Sequence, residues 1–320
     1  MKSIAIMPGV ELIPLSPRCA AGVPDDLECA LALGCFDGFH LAHRAIADAA
    51  RELAAASPPM LAGAFCFAKP PAAYFGRSVP MITDTAEKSR LFAEAGLDIA
   101  FVADLAAIKD QSAADFIEIT LRSLCHCRAV ACGFNFSFGR AASGTPAELC
   151  RAFGEENTKI LPPRLFGDTP ISSSRIRSLI EAGKMEVAAE LLGRPFSISG
   201  EVIHGRGDGK KLGFPTINQL PAEGMLTPPP GVYISRAKIA GGESLPAITD
   251  IGTAPTIDKT GVLRYETHLL TPPAGSLYGC SPRVEILHRL RGEVRFSSTA
   301  ALTEQIARDV GHARAFFGLE

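Results

Sequence analysis

The sequence has almost no net charge. Its 32 Lys and Arg residues face 34 Asp and Glu, for a formal balance of −2. A global basic field is therefore missing, and with it the electrostatic case for binding nucleic acid or an anionic membrane surface. Any anionic ligand must be held by local groups. Long apolar runs are also missing: no stretch nears the roughly 18 residues a membrane span needs. The opening MKSIAIMPGVELIPL has one lysine followed by prolines in a weak apolar stretch, unlike the continuous core of a signal peptide. The cytoplasm is the expected location. Paired CxxC motifs are absent too. Cys125 and Cys127 flank His126 with a single residue between the thiols, too short for an ordinary zinc pair. The nine cysteines, an odd number, read as small buried hydrophobes in a reducing compartment.

What is present suits a globular chain of two domains. There are 320 residues, 47% of them hydrophobic and 21% charged. The halves differ in pattern. From Leu31 to about Leu192, short apolar runs (CALALGCF, LAGAFCF, DIAFVAD, CRAVACGF) alternate with helical stretches (HRAIADAARELAAA, DTAEKSRLFAEAG, SAADFIEITLRSL). Strand–helix–strand alternation predicts an α/β, Rossmann-like domain with a parallel sheet covered by helices. From Phe196, β-type runs separated by Gly and Pro (FSISGEVIHG, GVYISRAKIA, YETHLL, RVEILHRL) predict an antiparallel β-barrel, closed by a C-terminal helix over STAALTEQIARDVGHARAFF. The expected domains are residues 1–183 and 184–320.

Three segments of the first half carry chemistry. In GCFDGFHLAHRAI, residues 34–46, a strand gives way to a helix. Gly34 and Gly38 allow close backbone approach, and the helix start offers free N–H groups to phosphate. His40 and His43 are three apart, so they share a helical face and can hydrogen-bond departing phosphate oxygens. ISSSRIR, residues 171–177, supplies Ser172 and Ser173 as capping hydroxyls and Arg175 and Arg177 as phosphate partners. GFNFSFG, residues 133–139, presents Asn135 for hydrogen bonding, with Phe136 and Phe138 either stacking on a ring or filling the core.

In the second half, GEVIHGRGDGKKLGFPTIN covers residues 200–218. Glycines 205, 207, 209 and 213 can expose successive N–H groups to phosphates, and Lys210 and Lys211 add charge. Pro215 stiffens the backbone before Thr216 and Asn218, whose oxygens suit Mg²⁺. Glu266, in YETHLL, is a carboxylate within a strand.

These motifs resemble, in order and over nearly the whole chain, those of bacterial bifunctional riboflavin kinase/FAD synthetases. The first segment is similar to GxFDGxHxGH, the second to ISSTxIR and the third to GxxFxFG. The long second-half segment resembles GxVxHGxxxGRxLGFPTAN, with Lys210 for Arg and Ile217 for Ala. GVY at 231–233, IGTAPT at 251–256 and LYG at 277–279 are similar as well. Departures are Ala42 for Gly, Cys35 for Asn, CFAKPP (residues 66–71) for a histidine-bearing TFxPHP, and Thr271-Pro272 for an Asp-Phe pair.

The resemblance implies an N-terminal FMN adenylyltransferase using His40 and His43. Gly34, Phe36, Asp37, Gly38, Ser172, Ser173, Arg175 and Arg177 would bind nucleotide and phosphate, and Asn135 and Phe136 the flavin. It implies a C-terminal riboflavin kinase in which Glu266 is the base and Thr216 and Asn218 hold Mg²⁺. Gly205, Gly209, Lys211 and Gly213 would hold nucleotide. Riboflavin, FMN and ATP are the expected partners, without nucleic acid or membrane, for a monomer or weak oligomer. Two alternatives remain: a kinase whose N-terminal half binds nucleotide or regulates without turnover, prompted by Ala42 and the missing histidine near Lys69, and a flavin binder without catalysis.

Overall fold

The structure is a computed structural model and describes residues 4–19, 28–204, 213–239, 244–253, 263–271 and 277–319. The chain divides into two compact units, Met1–Ser173 and Ser174–Glu320.

In the first unit the described residues form a seven-stranded sheet. Its strands are β1 (Ile4–Met7), β2 (Val10–Pro14), β3 (Cys29–Leu33), β4 (Leu61–Phe67), β5 (Ile99–Ala103), β6 (Cys127–Gly133) and β7 (Thr158–Leu161), in the order β1-β2-β5-β4-β3-β6-β7. β5 through β7 are mutually parallel. The N-terminal segment, in which the sequence shows only a weak apolar stretch, adds an antiparallel hairpin at one edge through β2 and β5.

Strand alternation explains how the helices seat. Ala30, Ala32, Ala62, Ala64, Ala100, Ala129 and Ala131 cluster with the alanine-rich helix Leu41–Ala56 and with Leu91 and Phe92. Those short side chains let a helix approach closely. Leu31, Leu33, Phe65, Ile99, Phe101 and Val130 point the other way, against Phe116, Leu121, Leu149 and Phe153. The helix expected over residues 112–124 is in fact a short α-turn, Ala113–Asp115, continuing as a π-helix, Phe116–Leu124. The Cys125 N–H accordingly donates back to Thr120 O at 3.0 Å. Six of the nine cysteines are buried, and burial pushes the Cys66 thiol up to about 11 and that of Cys132 up to about 12.

The order β5-β4-β3-β6-β7 reverses direction between β3 and β6. In open α/β sheets, ligands bind outside the carboxyl ends of strands at such a switch point. The loops leaving β3 and β6 begin at Gly34 and Phe134.

A two-stranded pair, β8 (Leu165–Phe166) and β9 (Thr169–Pro170), precedes the helix Ser173–Glu181. In the second unit, helix Met185–Leu192 leads into β10 (Phe196–Ser199), β11 (Val202–Ile203), β12 (Thr216–Gln219), β13 (Gly231–Lys238), β14 (Ser244–Thr253), β15 (Leu263–Leu269) and β16 (Arg283–Arg291). Their order is β10-β16-β13-β14-β15-β12-β11, antiparallel throughout. The two ends of that order meet at Gln219. Its fully buried Nε2 donates to Gly200 O at 2.6 Å and to Pro282 O at 2.9 Å, beside β10 and β16. The Val202 N–H also donates to Cys280 O at 2.8 Å. The sheet is thereby closed as a barrel. Inside run Tyr233 and Tyr265, both fully buried, and hydroxyl contacts from Ser235 to Thr249 (2.7 Å) and Thr249 to Thr267 (2.9 Å). Outside, the C-terminal helix Thr299–Phe316 packs Ala313 and Val310 against Val232, Ile234 and Ile248.

Candidate active sites

At the carboxyl end of β3 the chain turns sharply. Gly38 has φ +83°, and a Cβ there would stand 3.1 Å from Ile82 Cδ1, so both conformation and space ask for glycine. Phe36 and Phe39 also adopt positive φ, 54° and 36°. Their rings are buried with Phe92 in an edge-on cluster, ring centroids 5.1–6.1 Å apart. Strain of this kind persists only where surrounding packing enforces it. The turn is also tied from outside. Asp37 Oδ1 accepts from the N–H groups of Ile82 (2.9 Å) and Thr83 (3.0 Å), while the Gly38 N–H donates to Thr83 Oγ1 at 2.9 Å.

The turn delivers two imidazoles. His40 is the N-cap of helix Leu41–Ala56, and its Nδ1 accepts from the His43 N–H at 3.3 Å. An accepting Nδ1 leaves the ring proton of neutral His40 on Nε2, a hydrogen-bond donor. The two rings stack, with centroids 3.6 Å apart and planes 13° from parallel. His43 is further braced edge-on by Phe36 at 5.1 Å. The ISSSRIR segment, 136 positions away, meets this loop: Ser173 Oγ donates to Asp37 O at 2.8 Å. At the carboxyl end of β6, Asn135 is exposed and Phe136 half-buried, stacked on the buried Phe138 at 5.8 Å.

In the second unit the residues expected at the site converge by register. Antiparallel pairing sets Asn218 of β12 opposite Glu266 of β15, and Thr216 opposite His268. Residues directly opposed share a face, as do positions two apart on one strand. Thr216, Asn218, Glu266 and His268 therefore form one patch. His268 Nδ1 lies 2.8 Å from Pro215 O, which braces the strand entry just before Thr216. Asn218 is buried and Glu266 half-buried.

Residues 192–317 match the riboflavin kinase family (Flavokinase), and residues 23–175 match the FAD synthetase family. Along the whole chain, the bifunctional riboflavin kinase/FMN adenylyltransferase of Escherichia coli (strain K12) is 35% identical over 302 residues, 91% of this chain and 93% of that one. The Bacillus subtilis protein of the same description is 31% identical over 303 residues, 90% and 92% of the two chains. The chain belongs to the bifunctional riboflavin kinase/FMN adenylyltransferase family.

A solved structure described as a macrolide-efflux protein from Streptococcus pneumoniae is similar as well. Its TM-score is 0.79 at 26% identity, over 92% of this chain and 95% of that one. Among the described residues no helix is long and apolar enough to cross a membrane.

Within this family frame, the expected site residues separate by what they touch. His40, His43 and Ser173 come together at the first loop, and Thr216, Asn218 and Glu266 on one barrel face. Phe36 and Asp37, expected at the nucleotide, spend their side chains inside the protein. Phe36 is fully buried behind His43, and Asp37, 1% exposed, is occupied by the donors of residues 82 and 83. Gly34 lies directly after β3, and a Cβ there would stand 3.0 Å from the Phe36 ring. Ser172 is exposed, and Arg175 and Arg177 are half-buried on helix Ser173–Glu181. Gly213 is exposed with φ +89°. Gly205, Gly209 and Lys211 lie outside the described residues. Sequence reasoning passed over Thr83, which bonds both Asp37 and Gly38. It also passed over Asp250 on β14, whose only signal is an acid interrupting the apolar run LPAITDIG.

Proposed function

We propose that the C-terminal unit transfers the γ-phosphoryl group of ATP to the terminal hydroxyl of riboflavin, with Glu266 as general base. The ribityl oxygen forms its bond to the γ-phosphorus as the bond to ADP breaks, and the hydroxyl proton passes to the Glu266 carboxylate. The supporting observation is the pairing of Glu266 with Asn218 across β15 and β12. Thr216 and Asn218 present neutral, hard oxygen donors two positions apart on that face, a set that fits Mg²⁺ completing its shell with phosphates and water. The ion, when bound, supplies charge neutralisation at the phosphates. The first unit then transfers AMP from a second ATP to FMN. A phosphate oxygen of FMN attacks the α-phosphorus and pyrophosphate leaves. His40, through Nε2–H, and His43 donate to the departing oxygens, with Arg175 and Arg177 adding charge. Cytoplasmic location and a monomeric or weakly associating chain, without nucleic acid or membrane partners, complete this reading.

Incubation with riboflavin and MgATP, with flavins separated over time, should show FMN appearing before FAD. Glu266→Ala should cut FMN formation about 10³-fold, the ordinary worth of a general base. When FMN is supplied directly, FAD should still form. A Glu266→Ala enzyme that phosphorylates riboflavin near the wild-type rate would remove the assignment of the base.

A further inference from the structure

The row of residues through the kinase patch continues past the base. Asp250 of β14 is opposite Glu266, Val232 of β13 is opposite Asp250, and Arg291 of β16 is opposite Val232. At Val232 the face is already under the C-terminal helix. Arg291 is engaged by that helix, its Nε and Nη2 donating to Asp309 Oδ2 at 2.9 and 2.8 Å, and Gln305 Nε2 secures Asp309 Oδ1 at 2.9 Å. Between the helix and the base, Asp250 stays exposed, and its carboxylate makes no hydrogen bond among the described residues.

Asp250 is in an unfavourable place for a carboxylate without a ligand. Like charges directly opposed across strands destabilise a sheet. Glu293 adds to this: a Cβ on Gly252 would stand 2.4 Å from Glu293 Oε1 and 4.0 Å from Asp250 Oδ1. Crowding by protein atoms, then the Glu266 charge, push the Asp250 carboxyl up to about 6, with Arg291 opposing and Glu293 and Asp309 reinforcing the rise. The group is nevertheless open to water rather than in the interior. A local conflict kept on an open face, one strand from the reacting alcohol, is what substrate recognition tolerates and packing does not explain.

We propose that Asp250 is a specificity-determining residue of the kinase, accepting a hydrogen bond from a secondary hydroxyl of the ribityl chain while Glu266 serves the terminal one. Opposed side chains on neighbouring strands stand about 5 Å apart. A linear polyol carries a donor on every carbon, so laid across the strands it can meet both carboxylates. A simple alkanol can meet only the base. The inference rests on Glu266 being that base.

The test uses the full-length enzyme and two substrates: riboflavin, and a flavin carrying a 5-hydroxypentyl chain, which keeps the terminal alcohol and lacks the secondary ones. Wild type should prefer riboflavin by on the order of 30-fold in kcat/KM, the worth of a hydrogen bond to a charged acceptor. Asp250→Ala should remove most of that preference by raising the KM for riboflavin. The KM for MgATP should hold within about twofold, whereas removing a charge beside Glu266 changes the rate with both flavins alike, so the readout is the ratio of the two kcat/KM values. Asp250→Asn, which keeps an acceptor oxygen and the volume, should restore part of the preference. If Asp250→Ala slows both substrates equally, so that the two penalties multiply, Asp250 does not touch the polyol and the proposal fails. Glu266→Ala measured alongside separates the two claims: activity retained there overturns the base, whatever Asp250 shows.

Discussion

The two units solve one problem, holding a nucleotide against an acceptor, with opposite uses of the backbone. In the first, the proposed site sits where strands end. The loop after β3 carries Gly38, His40 and His43 within a few residues, and its shape is set by positive φ angles and by Asp37. In the second, the proposed site sits along the strands. Asn218, Glu266 and Asp250 come from three separate strands and are brought abreast by hydrogen-bond register. A loop site depends on local conformation and a few tethers, whereas a sheet-face site depends on the integrity of the whole ladder. A one-residue slip would send every side chain of the patch to the other face.

Substitutions can sharpen that contrast. The largest effect should come from Glu266→Ala, confined to FMN formation as described above. Next, His43→Ala should lower FMN adenylylation about 100-fold, as for the loss of one donor to a developing anion, and leave riboflavin phosphorylation unchanged. Flavin chromatography with each substrate supplied separately checks both. If His43→Ala also slowed the kinase, the independence of the two chemistries would be broken.

A structural substitution comes third. Gln219→Leu leaves the carbonyls of Gly200 and Pro282 without their buried donor, a loss of about 3 kcal/mol. Thermal unfolding should show it, together with a raised KM for MgATP, because Asn218 is the adjacent residue. An unchanged melting temperature would mean the barrel is closed by other contacts.

The smallest effect concerns pH. Asp250, though exposed, has its carboxyl raised from 3.8 to about 6 by the crowding of protein atoms around it and by Glu266. The protonated form is thus favoured by folding. The stability it contributes is fully present below pH 4 and is lost as pH rises through 6. Asp250→Asn should therefore raise the melting temperature slightly at pH 7.5, by about 2 °C, and leave it unaltered at pH 4. An equal change at both values would exclude a titrating Asp250.

The loop site was the more legible of the two in the sequence. GCFDGFHLAH announces a strand ending, a glycine turn and a helix beginning, all short-range events that composition encodes directly. Even there the roles of Phe36 and Asp37 were hidden. Nothing in residues 34–43 shows that Phe92 and Thr83 will fill the space around them. On the barrel the strands were readable from alternation and punctuation, and Thr216, Asn218 and Glu266 from the motifs that resemble the family's. Asp250 was not, because its significance is two-dimensional: it lies 16 positions before Glu266 in the chain and directly beside it in the sheet. The π-helix at Phe116–Leu124 escaped for another reason, since a period of 3.6 and a slightly wider one look alike over nine residues.

One step of two residues has a wider consequence. Asn218 and Gln219 are consecutive on β12, so their side chains leave on opposite sides: one toward the ligand face, the other into the seam where the barrel shuts. If Asn218 holds Mg²⁺ as proposed, the kinase cannot loosen its closure without disturbing a metal ligand. Half-open barrels in the cell would be catalytically silent rather than sloppy, so turnover itself reports that the fold is complete.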